Sequence, residues 1–259
     1  MRQLALLLPL LLGLVAAPVA RAATLTWSAA GAGNWSDGAN WSVTSGTDAD
    51  GVPDADDTLV FDATSTMDAT IDADLQVMGL LVDAAYTGTI GLGDSTLTVN
   101  NQGFQVSGAD ALDAGTGTVI LFGGVIASDS PVNDLELPGP NAYNLTQNLT
   151  ILGNLMIPSV ANVSGAGELR VHGDFLLDVH APNVTVRLVG DGDQTISGSE
   201  TGRLRNLHVD KPSGNVILPA NMDMSAGTLS GDGVITGDGH LIVTSNQIID
   251  FAGTVEDFE

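Results

Sequence analysis

The densest chemistry in this 259-residue chain is an acidic loop, Asp48-Ala49-Asp50-Gly51-Val52-Pro53-Asp54-Ala55-Asp56-Asp57. Hard cations such as Ca2+ take roughly six to eight oxygen ligands, and spaced carboxylates around a glycine turn supply them. With Gly51 as the sixth residue of a twelve-residue loop, Asp48, Asp50, Asp54 and Asp57 fall at ligand positions and form a candidate Ca2+ set. Gly46 stands where the first carboxylate belongs and no bidentate Glu follows, so a solvated acidic turn is the competing reading.

Two further groups merit inspection. All three tryptophans, Trp27, Trp35 and Trp41, lie close together, with Asn34 and Asn40 beside the latter two. Exposed indole faces next to amides make a candidate carbohydrate platform; a packed cap closing one end of the molecule is the plainer expectation. Asp191 and Asp193 flank Gly192, with Arg187, Arg203, Arg205 and His208 nearby in sequence. Paired carboxylates of that kind serve glycosidases when one carries a raised pKa. The other reading is a Gly-Asp-Gly-Asp corner with bases that offset local acid repulsion, and the chain is expected to be non-catalytic. The four histidines, His172, His180, His208 and His240, show no metal-binding helical spacing, and no Gly-x-Ser-x-Gly elbow is present.

The elements that must position these groups are strands. Short alternating runs such as Thr118-Val-Ile-Leu121, Glu168-Leu-Arg-Val171 and Thr185-Val-Arg-Leu188 end in Gly, Asp, Asn or Ser, and helical periodicity is missing. Thr118–Gly123, Asp134–Leu137 and Gly165–Val171 are matched in the same order by Thr185–Gly190, Asn206–Val209 and Gly237–Val243, about 70 residues later, which predicts a degenerate repeat relating 118–171 to 185–243, each copy holding about three coils. The expected fold is therefore all-β: a single-stranded, right-handed parallel β-helix (β-solenoid) with an N-terminal Trp-rich cap. The expected organisation is a signal peptide over 1–22, a Trp/Asp-rich cap over 23–62 and the solenoid over 63–259.

Charge excludes several partners. Asp and Glu number 31 against 7 Lys and Arg, and residues 22–169 contain no Lys or Arg. Nucleic acid needs clustered bases, and so does an anionic membrane surface. Arg2, the apolar run Leu4–Ala17 and Ala20-Arg21-Ala22 read as a secretory leader cut after Ala22. No later segment is apolar enough to span a membrane, so no membrane insertion of the mature chain is expected. Cysteine is absent.

Thr26-Trp27-Ser28, Gly33-Asn34-Trp35-Ser36 and Asn40-Trp41-Ser42, followed by Pro53-Asp54 and Phe61-Asp62, resemble the segment that opens bacterial surface β-helix proteins, including autotransporter passenger domains. Val186-Arg-Leu-Val-Gly-Asp-Gly-Asp-Gln-Thr-Ile-Ser197 looks like the coils of that group, and the acidic loop resembles the thrombospondin type-3 calcium repeat. The resemblance implies an exported bacterial protein, extracellular or at the cell surface. It also implies a structural or adhesive role, with homo-oligomers or fibres and a surface glycan or cell-surface partner as candidate partners. The alternative is a polysaccharide-binding or polysaccharide-degrading β-helix. The sequence to Glu259 shows no barrel strands, which the resemblance reads as a released or non-covalently held protein, or as part of a longer chain.

Overall fold

A computed structural model of the chain describes residues 22–159, 161–178, 183–198, 203–220, 222–243 and 249–255; the leader expected over 1–22 lies almost entirely outside them, as does His180. The described residues form a β-solenoid of about nine turns. Alternation places every second side chain inside, and each coil stacks its inward residue on that of the coil before it. On one wall Leu97, Val119, Leu135, Leu155, Phe175 and Ile196 pair in parallel register, and all six are completely buried. A second wall stacks Leu25, Leu59, Leu80, Phe104, Ile126 and Leu145. A third carries Leu149, Leu169, Val186, Leu207 and Leu229. No coil could bury this surface alone, so apolar stacking and the parallel backbone ladders stand or fall together.

Register also corrects the 70-residue repeat. Thr118–Leu121 belongs to the first wall, whereas its proposed counterpart Thr185–Val189 belongs to the third. Asp134–Glu136 and Asn206-Leu207 are likewise on different walls. The repeating unit is the single coil. Stacked residues are separated by 22 positions from Leu97 to Val119 and by 20 from Leu135 to Leu155. An alternating strand looks alike on any wall, which is why the sequence matches crossed between them.

The corners consume the acids. Asp134 Oδ1 accepts from the Asn154 N–H at 2.6 Å, Asn154 Oδ1 from the Asp174 N–H at 2.9 Å, and Asp174 Oδ1 from the Thr195 N–H at 2.8 Å. Asp74 does the same for Thr96 and Asp193 for Asn215. A turning chain leaves N–H groups outside the ladders, and a short carboxylate or amide one coil away satisfies them. Much of the acidity is thus structural.

The N-terminal end is closed by a chain reversal. The strand Thr24–Trp27 runs parallel to Thr58–Phe61 but antiparallel to Trp41–Ser45, which places Trp27 opposite Trp41. Phe61 stands among the three tryptophans at centroid separations of 5.5–5.7 Å and meets Tyr86 at 5.1 Å. The Trp27 Nε1–H and the Tyr86 hydroxyl both donate to the Met67 carbonyl at 2.9 Å, and Trp41 Nε1–H donates to the Trp35 carbonyl. Truncating Trp27 to Ala should cost about 3–5 kcal/mol by opening this cluster. Exposed Val43→Thr on the outer strand should stay within about 0.5 kcal/mol. Denaturant unfolding followed by tryptophan fluorescence measures both.

Candidate functional site

The structure places Trp27, Trp35 and Trp41 at 0%, 2% and 7% exposure. A sugar stacks on an open ring face, and none of these rings offers one. The carbohydrate-platform expectation for the tryptophans is therefore corrected: their faces are spent on one another and on Phe61.

The calcium expectation is also corrected. The Asp48, Asp50 and Asp54 carboxylates turn back on their own loop, accepting from the N–H groups of Asp50, Val52 and Asp56. Asp57 points the other way, into the protein, and is 1% exposed. Its Oδ1 accepts from the Ala23 N–H and its Oδ2 from the Asp54 N–H, each at 3.1 Å. Among the described residues, no group of three or more acidic or histidine side chains is placed to hold a metal ion. Spacing alone suggested a shared centre; the carboxylates instead accept from backbone N–H groups. Burial, opposed by the two N–H bonds and reinforced by Asp54 and Asp48, pushes the Asp57 carboxyl up to about 6.

Near Asp191 and Asp193, two of the predicted groups are engaged with other partners. Asp193 caps the Asn215 N–H, while Arg187 is held by two contacts to Glu168, at 3.0 and 3.2 Å, and by Asp210 at 3.2 Å. Hydrogen bonding from Arg187 holds the Glu168 carboxyl below the usual range. His208 stacks beside Arg187 on the outer wall and meets Ser230 Oγ at 2.8 Å; burial lowers its pKa. Arg203 and Arg205 project outward from the strand Arg203–Ile217.

Lys211, the one lysine of the chain, is interior. Its Nζ donates to the Gly190 and Gly192 carbonyls and to Gln194 Oε1, while Gln194 Nε2 donates to the Val171 and Gly173 carbonyls. Burial pushes its ammonium pKa down, but three acceptors satisfy all three protons. Lys211→Met should cost about 2–4 kcal/mol by orphaning those acceptors, read as a lower denaturation midpoint.

A feature that the sequence reading passed over lies at the bend between two walls. Two adjoining depressions of about 310 and 520 Å3 share Asn101. Gln76, Asn100 and Phe122 line the first; Gln102, Asn144 and Ser164 line the second, and no charged side chain borders either. Phe122 is 41% exposed, and Gln76 Nε2 donates to Asn100 Oδ1 at 3.1 Å. The groove crosses successive coils, so its donors recur at the strand spacing of about 4.8 Å. The Asn100-Asn101-Gln102 run, breaking an alternating strand, was the available sequence signal.

Comparison with family models, with curated proteins and with solved structures finds no match to this chain. No helix among the described residues is long and apolar enough to cross a membrane.

The state of Asp57 yields a pH prediction for the chain extended N-terminally of Ala23. Because its folded pKa lies above the unfolded value of 3.8, folding binds the proton more tightly. The resulting stabilisation, at most about 3 kcal/mol, is full below that value and is lost as pH rises through about 6. Asp57→Asn should flatten this part of the stability–pH profile.

Proposed function

We propose that this chain is an exported, non-catalytic scaffold of the bacterial surface or extracellular space, a rigid β-solenoid that displays polar walls for adhesion. The observation that carries this reading is the continuous apolar stack through successive coils, which supports a stiff rod whose walls present their outward side chains at fixed spacing. Rigidity lets many weak outward contacts act together, because their spacing is held before binding. Stacking of copies into oligomers or fibres belongs to the same proposal.

The groove at Asn101 favours the second reading, a polysaccharide-binding solenoid. Amides that both donate and accept, beside an exposed aromatic ring, match the hydroxyl-rich edges and apolar faces of sugars. The neutral lining within an acidic protein favours an uncharged glycan over an anionic one. Soluble neutral polysaccharides should bind without being shortened, and Phe122→Ala should weaken binding about tenfold, the equivalent of roughly 1.4 kcal/mol. Titration calorimetry with size-exclusion analysis of the glycan tests this. Depolymerisation would overturn the non-catalytic reading, and unchanged affinity in Phe122→Ala would overturn the groove.

A further inference from the structure

We propose that leader cleavage after Ala22 creates the missing counter-ion of Asp57: the new α-ammonium of Ala23 forms an interior ion pair with the Asp57 carboxylate and locks the N-terminal cap. The proposal rests on the export reading above. Hydrolysis of the Ala22–Ala23 peptide bond by an export peptidase and water leaves a carboxylate on the leader and an ammonium on Ala23. Cleavage accompanies export and precedes folding, so the later burial of Ala23 is no obstacle to it.

The geometry is already in place. Ala23 N lies 3.1 Å from Asp57 Oδ1, and Ala23 is only 5% exposed. Its position does not depend on the leader. The Ala23 carbonyl accepts from the Thr58 N–H at 2.9 Å, and the following strand Thr24–Trp27 is held between Trp41–Ser45 and Thr58–Phe61. Gly46, at φ +80°, lies so close that a Cβ there would stand 2.9 Å from the Ala23 Cα. The neighbouring chain is thus wrapped tightly around this point.

The electrostatics lack one component. Asp57 is buried with Asp54 and Asp48 acting on it, and Asp48 Oδ2 is itself buried without a hydrogen-bond partner. No Lys, Arg or His occurs between Ala23 and Glu168, a stretch containing the whole cap. The Ala23 ammonium would be the single positive charge there. A peptide N–H donates one hydrogen bond; an ammonium carries a full charge and three donors. For a buried carboxylate that gains such a partner, attraction and added hydrogen bonds offset the desolvation penalty of its charged form.

Two proteins differing at one end test the proposal. One, released from a cleavable fusion, begins with a free Ala23 amine; the other carries a short extension ending in Ala22. The free-amine protein should melt about 5 °C higher, and the difference should vanish in Asp57→Asn and on acetylation of the Ala23 amine. The Ala23 amine, followed by carbon-13 reductive methylation, should titrate above the ordinary α-amino value of about 8. Should Asp57→Asn fail to fold, acetylation and the amine titration carry the test. Equal melting, or a difference that survives acetylation, overturns the ion pair. Export with the native leader should give an intact mass starting at Ala23; a different start overturns the maturation step, whatever the recombinant pair shows.

Discussion

Everything in this molecule depends on one constraint: a coil cannot satisfy its backbone or hide its apolar side chains without the coil next to it. Parallel pairing supplies both at once. Leu135 donates its N–H to one neighbouring coil while its side chain rests between Val119 and Leu155. The ends and corners, where that mutual supply lapses, are where specialised residues appear. The N-terminal end receives an antiparallel strand and four large aromatic rings; the corners receive Asp and Asn.

This division recasts the acidity of the chain. Carboxylates at the corners act one coil away from themselves, as Asp134 does for Asn154. Two of the few cations are absorbed similarly, Arg187 by Glu168 and Asp210 and Lys211 by three interior oxygens, while Arg203 and Arg205 face outward. In so acidic a chain the neutral groove at Asn101 stands out for being lined without any charged side chain.

The fold was legible because alternation is a local signal. Thr118-Val-Ile-Leu121 announces a strand, its period, and the inward choice of Val119 and Leu121 in four residues. Which wall a strand joins is not local, so equal-looking runs were matched across walls. The tryptophan cap was legible from bulk and clustering. The candidate sites were less so, because their meaning depends on distant backbone. Asp57 resembles its neighbours in the acidic loop, yet its partner is an N–H 34 residues upstream. Lys211 gives no sequence sign that it turns inward. The groove residues, Asn100, Phe122 and Asn144, are separated by whole coils and converge only through stacking.

The coil lengths have one more consequence. Val119 and Leu135 stack directly although only 16 residues separate them, against 22 for Leu97 and Val119, and all three remain fully buried. The wall therefore tolerates a six-residue difference in the path between its rungs. The shorter path replaces the strand Leu112–Asp113 of the longer one by the single bridge of Val132 to Ile151, so a coil can change its outline, and what projects from it, while this inward stack persists.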